Sequence, residues 1–198
     1  MSSPRPPSPA RLVVGLFTAE RELLHEAAMA LSELFGPLDA ASPWFSFHHT
    51  SYYEREFGSP LFRRLMAFKR LADQGELCDI KLATNEVEKK FLRPEGSRRL
   101  NLDPGLLTPE RFVLATGKNY VHRVYLAKGI YADLTLVYRR GVYEPLEWTY
   151  PDYAEACVRD FLLQLRRGLL AARKTEKSEN GPFKPEAEEA LGNGRERT

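Results

Sequence analysis

Cysteine and histidine are scarce in this chain, and their scarcity excludes several classes of protein. The 198 residues include two cysteines and four histidines. Cys78 and Cys157 lack the closely spaced partner cysteines of a small secreted domain held by disulfides. We therefore predict that both are buried, act as small hydrophobic residues and lie in a reducing compartment. No Cys-x-x-Cys, His-x-His or His-Glu-x-x-His pattern is present, and the adjacent His48 and His49 would point to opposite faces of a strand. The sequence therefore predicts no metal site.

Long apolar runs are also absent. No stretch approaches the roughly 20 residues that a membrane-spanning helix needs. The first ten residues are rich in proline and serine and lack the apolar centre of a secretory signal. We therefore expect no membrane contact and a cytoplasmic location.

An excess of charge of one sign is missing too, because 29 basic residues face 27 acidic ones and the net charge is +2. This balance argues against a nucleic-acid-binding protein, which carries a broad basic surface. RNA binding stays an alternative because arginine pairs at 63–64, 98–99 and 139–140 stand among aromatic residues. A phosphate-binding loop at Gly117-Lys118 is excluded, since Phe112 replaces its first glycine and Asn119 replaces its hydroxyl residue.

The composition that remains is that of one folded domain with two tails. We predict a disordered N-terminal tail at 1–11, a single domain at 12–171, and a disordered charged tail at 172–198. The order of strand and helix patterns predicts the α+β class, with a mixed, mostly antiparallel sheet covered by helices.

The clearest pattern is a three-stranded meander near the C-terminus. β-branched and aromatic residues fill 121–126, 130–138 and 142–148, and Lys128-Gly129 and Arg140-Gly141 supply the turns between them. Alternation in the middle strand predicts one apolar face, formed by Ile130, Ala132, Leu134, Leu136 and Tyr138.

Earlier segments follow from periodicity, caps and turn residues. The run 12–17 is apolar throughout, as in a central strand buried on both faces. A helix is predicted after Thr18, a strand at 44–50, a helix at 61–71 that Ser59 caps, and a further helix from Glu76. A strand at 99–103, a turn at 103–105 and a short helix at 108–116 follow. The last predicted helix is capped by Asp152, and its inner stripe is formed by Cys157, Phe161, Leu165 and Leu169.

Polar side chains collect at or near the predicted strand ends. The catalytic candidates are His49, Asp103 and His122, because a neutral imidazole beside a carboxylate is a usable general base. The ligand-binding candidates are Tyr52, Tyr53, Arg123 and Tyr150, since arginine binds anions and tyrosines line the rims of pockets. Turn and capping roles are the alternative explanation for Asp103 and Asp152.

Several stretches resemble an uncharacterised bacterial family, domain-of-unknown-function family 4416 (DUF4416), over residues 12–170. They are Tyr-Tyr-Glu-Arg-Glu-Phe-Gly-Ser-Pro-Leu (52–61), Asp-Ile-Lys-Leu-Ala-Thr-Asn-Glu (79–86), Asn-Leu-Asp-Pro-Gly (101–105), the run 114–135 and Trp-Thr-Tyr-Pro-Asp-Tyr (148–153). The resemblance implies no established activity. Some members carry a GTP-binding label, which implies GTP binding without a phosphate-binding loop as one alternative.

The leading functional hypothesis is a pocket at the strand ends that binds a small anionic ligand, and a catalytic role is one interpretation of that pocket. The sequence identifies no particular cofactor. A second hypothesis is a protein-interaction module in which the aromatic segment 44–57 is an exposed docking patch.

Overall fold

A single antiparallel sheet forms the centre of the molecule. The computed structural model describes residues 3–47 and 53–179, with side chains described as far as residue 173. The strands of this part of the chain are β1 (Ala10–Thr18), β2 (Leu38–Ala41), β3 (Phe45–Phe47), β4 (Leu61–Ala72), β5 (Leu100–Leu107), β6 (Arg111–Thr116), β7 (Arg123–Ala127), β8 (Ile130–Arg139) and β9 (Val142–Pro145). They follow the order β2-β4-β1-β5-β6-β8-β7, while β3 pairs with β4 and β9 with β8. Each of these strand pairs is antiparallel.

Helices cover both faces of the sheet, which confirms the α+β class. They are α1 (Leu24–Phe35), α2 (Glu54–Phe57), α3 (Leu77–Lys89), α4 (Pro151–Ala154) and α5 (Ala156–Glu179). Within the described residues, each helix is too short or too polar to cross a bilayer. The last helix continues past residue 172, where the sequence predicts a tail.

The central strand β1 shows how the layers are built. All nine of its residues are buried, as its apolar sequence predicts. Leu12, Val14 and Leu16 pack against α1 and α3 on one face, while Val13 packs towards α5 on the other. Phe17 joins a third cluster with Phe47, Phe57 and Leu61. One strand therefore links three apolar clusters.

The C-terminal meander is confirmed, and its turns have the predicted chemistry. Lys128-Gly129 and Arg140-Gly141 form two-residue connections in which every residue has positive φ.

The predicted alternation of β8 is wrong. A register shift opposite Phe112 and Val113 leaves Thr135 as an extra residue of β8 without a partner on β6. Ile130 and Leu136 consequently join different clusters, and the side chain of Asp133 is buried.

The predicted helix at 61–71 is wrong, because this segment is β4, the longest strand. It pairs with β1 along one edge and with β2 and β3 along the other. Leu61, Leu65 and Phe68 have helical spacing, but Leu61, Leu65 and Ala67 fit an alternating strand equally well. Pairing on both edges decided the outcome, and Ser59 caps no helix. The short strand β2 was not predicted, and the predicted strand at 44–50 is β3 within the described residues.

The predicted turn at 103–105 and helix at 108–116 are also wrong. β5 runs straight through Asp103-Pro104-Gly105, and Gly105 is needed because an added Cβ would lie 2.7 Å from the ring of Phe112. Thr108-Pro109-Glu110 is a hairpin turn into β6, in which the Thr108 N–H donates to the Arg111 carbonyl oxygen. Proline has the same fixed φ at the start of a turn and of a helix, so this signature fits both.

Candidate functional site

The sheet opens between β5 and β6, and this opening creates the candidate site. These two strands pair only through Gly105–Leu107 and Phe112–Leu114. Pro104 is the residue of β5 at which the pairing with β6 ends. Proline has no N–H to donate, and at this position no hydrogen bond between β5 and β6 is lost. Beyond that point the first half of β5 and the end of β6 diverge around a cleft of about 880 Å³.

Polar groups from α3 replace the missing strand along the open edge of β5. Lys81 Nζ donates to the carbonyl oxygen of Leu102 at 2.7 Å, and Glu88 accepts from the Leu102 N–H at 2.7 Å. Both side chains are buried, and their charged groups lie 3.9 Å apart. Burial raises the pKa of Glu88, and the charge of Lys81 and the Leu102 N–H offset this only in part.

Arg63 lies at the floor of the cleft; the sequence points to it only in an arginine pair of the RNA-binding alternative and not as a residue of this site. It projects from β4 and is 4% exposed. Its Nε lies 3.0 Å from Asp152 Oδ2, and its Nη2 donates to Asp103 Oδ2 at 3.4 Å. Burial by itself lowers the pKa of Arg63, but the Asp152 carboxylate, Tyr153 and Asp103 more than offset this and raise it. Its guanidinium also lies over the ring of Tyr153 at 4.7 Å.

The roles predicted for Asp103 and Asp152 are therefore corrected. Asp103 occupies no turn, and its carboxylate faces Arg63 from within a strand. Asp152 caps no helix: Tyr150 is the N-cap of α4 and makes no side-chain cap. Asp152 is 2% exposed and forms an ion pair with Arg63. Cys157, predicted on the inner stripe of the last helix, is exposed there.

A second ion-pair network borders the cleft near α2. Glu56 accepts two hydrogen bonds from the side chain of Arg98, at 2.7 Å from Nε and 2.9 Å from Nη2, and a longer one from its main-chain N–H. The bond from Arg98, more than the charge, holds the pKa of Glu56 below its usual value despite partial burial. Arg98 also lies 3.6 Å from Glu88, which links this pair to the buried pair of α3.

The far wall is formed by β7, β8 and the loop before β7. Arg123 donates from Nε to Asp133 at 2.8 Å and from Nη1 to the carbonyl oxygen of Lys118 at 2.9 Å. Asp133 is 5% exposed and also lies 3.4 Å from His122 Nε2. The His122 ring is stacked between Tyr120 and Trp148.

Tyr53 and Tyr150 complete the rim. The Tyr53 ring packs against Phe17 and Phe57, and Lys118 Nζ lies 5.9 Å from its centre. Burial raises the pKa of the Tyr53 hydroxyl. The positive charge of Lys118 lowers this pKa, and the negative charge of Asp103 raises it. Asp103 and Lys118 thus both act on this hydroxyl from the walls of one cleft.

The cleft brings together four of the seven predicted site residues. Tyr53, Asp103, Arg123 and Tyr150 line it, and His122 stands beside it against Asp133. His49 and Tyr52 lie outside the described residues. Within the described residues, no group of three His, Cys, Asp or Glu side chains is placed to hold a metal ion.

Most of the charged lining was not predicted as part of a site. One signal was available, because Arg63 is a charged residue inside an otherwise apolar alternation from Leu61 to Ala67. The charged side chains around the cleft are balanced, with five basic (Arg63, Lys81, Arg98, Lys118, Arg123) and five acidic (Glu56, Glu88, Asp103, Asp133, Asp152).

Comparison with known proteins identifies a family but no characterised relative. No curated protein and no solved structure matches the chain. The model of a family described as a domain of unknown function (DUF4416) matches residues 8–168, which include every charged residue of the cleft. The chain therefore belongs to the DUF4416 family.

Proposed function

We propose that the cleft between β5 and β6 is the binding site for a small molecule that carries an anionic group, in a cytoplasmic protein. The observation that supports this proposal is the opening of the sheet. Polar side chains from distant segments of the chain line the opening, at a place where a protein interior is normally apolar. Its volume of about 880 Å³ suits a metabolite-sized ligand.

The anionic group of the ligand would bind at the wall formed by Lys118 and Arg123. Two hydrogen bonds hold the guanidinium of Arg123 in place, and they use only Nε and Nη1. A guanidinium carries five N–H donors in a planar fork, so a fixed arginine can still donate to a carboxylate or a phosphate. Lys118, exposed at the same wall, adds a second positive charge.

The balance of charge limits the ligand to a small net charge. A polyanion such as RNA or a nucleoside triphosphate would meet as many acidic as basic side chains in this cleft. A monoanion can instead contact Lys118 and Arg123 while its remaining part faces Asp103 and the tyrosines. Of the three catalytic candidates, Asp103 lines the cleft, which supports a role for its carboxylate in the proposed site.

The packing of the aromatic segment favours this proposal over a docking patch at residues 44–57. Phe47 and Phe57 are buried, and their rings contact Phe17. Trp44 is partly buried, with the guanidinium of Arg64 over its ring. The ring of Phe47 lines the cleft, and within the described residues of this segment these three rings leave little apolar surface for a partner.

A ligand screen by thermal denaturation tests the proposal. The panel contains inorganic phosphate, small carboxylates, sugar phosphates, nucleoside mono- and triphosphates and divalent metal salts. A ligand present at 100 times its Kd is expected to add about 2.7 kcal/mol to the free energy of unfolding, so Tm rises. Small monoanions should give the largest shift, whereas a panel without any shift would overturn the proposal.

Variants then locate the binding site. Lys118→Ala is expected to weaken binding of the best anionic probe about tenfold, since one charge-assisted contact is lost. Lys90→Ala is the matched control, because Lys90 is exposed at the end of α3 and lies outside the cleft. Equal affinity of the two variants would contradict a binding site at this wall.

A further inference from the structure

Three charged side chains at the floor of the cleft carry an excess negative charge. Arg63 forms ion pairs with two carboxylates, Asp103 and Asp152, and their charges add up to minus one. The side chains of Arg63 and Asp152 are 4% and 3% exposed, while that of Asp103 is 28% exposed and lines the cleft. Charges in a protein interior are normally paired, so a cation that enters the cleft would be favoured at this floor.

Three of the other basic groups of the cleft are already engaged, and the fourth, Lys118, belongs to the far wall, where the anionic group is assigned. Lys81 bonds to Leu102 and lies near Glu88, and Arg98 binds Glu56 through two bonds. Arg123 is fixed by Asp133. Each of these pairs is neutral as a unit, so none of them supplies a positive charge to Asp103 at the floor, and Lys118 carries the balancing charge at the far wall.

Within the part of the chain that the structure describes, four buried polar atoms at this floor lack a hydrogen bond of good geometry: Nε and Nη1 of Arg63, Oδ2 of Asp152 and the hydroxyl of Tyr153. Asp152 Oδ2 is in ionic contact with Arg63 but accepts no hydrogen bond of good geometry among the described residues, and the same holds for the hydroxyl of Tyr153. Both residues are 2% exposed and line the cleft. Unbonded buried polar atoms are rare in folded proteins, and a ligand or a water molecule that reaches this floor would supply the missing hydrogen bonds.

We infer that the ligand carries a protonated amine that binds the carboxylate of Asp103, together with the anionic group assigned to Lys118 and Arg123. This inference rests on the proposed function and narrows it to zwitterionic molecules of amino-acid type. An ammonium group would pair with the excess charge of the floor, and the carboxylate of Asp103, whose side chain is 28% exposed, is the accessible acceptor. Tyr53 and Tyr150 line the same cleft, and aromatic rings attract cations.

Matched small probes test the inference directly. We would titrate the protein at neutral pH with 4-aminobutanoate, 4-hydroxybutanoate and butanoate, and with phosphoethanolamine and ethyl phosphate. Changes in NMR chemical shift report Kd values in the millimolar range. The amine-bearing probe of each series should bind about tenfold more tightly than its hydroxyl or alkyl analogue.

Asp103→Asn identifies the carboxylate that recognises the amine. In this variant the preference for the amine is expected to fall below about twofold, while affinity for the alkyl anions stays within a factor of two or rises. Asp79→Asn is the control, since Asp79 is an exposed acid on α3 outside the cleft. Circular dichroism of each variant establishes that the fold is retained.

The outcomes separate this inference from the proposed function. If anions bind equally with and without an amine, the inference fails and the proposed function stands. If the amine preference survives in Asp103→Asn, the assignment to Asp103 is overturned. If no probe of either series shifts any resonance of the cleft, both the inference and the proposed function are rejected.

Discussion

The ammonium group of Lys81 donates to the main-chain carbonyl oxygen of Leu102, at a point where β5 has no neighbouring strand on that side. Glu88 accepts from the N–H of the same residue. Two side chains of one helix thus supply the donor and the acceptor that a strand would have supplied. This substitution keeps the edge of the cleft open without leaving buried main-chain groups unbonded.

The first prediction concerns the effect of pH on this pair. In the folded state the pKa of Glu88 is raised above its ordinary value of 4.5. As pH rises, Glu88 therefore loses its proton at a lower pH in the unfolded chain than in the folded protein. The contribution of Glu88 to the free energy of unfolding must therefore fall across the interval up to the folded pKa. The difference between wild type and Glu88→Gln, measured by urea denaturation between pH 4 and 8, should shrink as pH rises.

Glu86→Gln provides the control for that experiment, because Glu86 is an exposed carboxylate on the same helix. A difference between wild type and Glu88→Gln that stays constant or grows with pH would contradict the raised pKa. The comparison cancels the carboxylates common to both proteins, such as Glu56, whose lowered pKa acts in the opposite direction.

A second prediction concerns the ion pair between Arg63 and Asp152. Arg63→Met should lower the free energy of unfolding by about 3–5 kcal/mol, because it leaves a buried carboxylate without its counter-charge. Adding Asp152→Asn removes that charge and should recover part of the loss. Chemical denaturation of the two single variants and the double variant gives the coupling energy; strictly additive losses would show that the two residues do not interact.

Gly15 gives a third prediction, about packing behind the cleft. A Cβ at this position would lie 2.8 Å from the hydroxyl oxygen of Tyr153 and 3.3 Å from Leu65 Cδ2. Gly15→Ala is therefore expected to destabilise the protein by about 1–3 kcal/mol, as overpacking does in a filled core. Gly168→Ala, in the exposed face of α5 with open space around it, should instead stabilise by about 1 kcal/mol. Thermal and urea denaturation measure both, and equal effects would refute the contact.

The fourth prediction concerns the hairpin between β8 and β9. Gly141 has a φ of 90°, and nothing lies within 4 Å of an added Cβ, so only the backbone conformation opposes a side chain. Gly141→Ala is expected to cost about 1–2 kcal/mol, because L-residues disfavour positive φ. Gly117 also has open space but no positive φ in this range, and Gly117→Ala should have little effect. The two free energies of unfolding decide between backbone strain and crowding.

Part of the site was predictable from residue type alone. Tyr53, Asp103, Arg123 and Tyr150 were chosen because polar groups near strand ends tend to converge, and all four line the cleft. The contacts of Asp103 were not predictable. Asp-Pro-Gly is a strong turn signal, and the sequence does not show that Phe112 packs over Gly105 and keeps the strand straight.

Arg63 and Asp152 show the same limit for charged residues. They are 89 positions apart in the chain, as their numbers show, and neither belongs to a motif with fixed spacing. Local rules assigned Asp152 to a helix cap, a role that any acidic residue before a helix can fill. The ion pair exists because β4 and the segment before α5 meet across the floor of the cleft.

The sequence by itself determined the meander, the apolar central strand and the three long helices. Each of these depends on chemistry within a few residues: glycines that accept positive φ, an apolar run, or a stripe with helical spacing. The tertiary structure alone decided that 61–72 and 111–116 are strands and that β5 and β6 separate. Short apolar segments satisfy helical and strand spacing equally, so their conformation follows from the neighbours that supply hydrogen bonds, and those neighbours are distant in sequence.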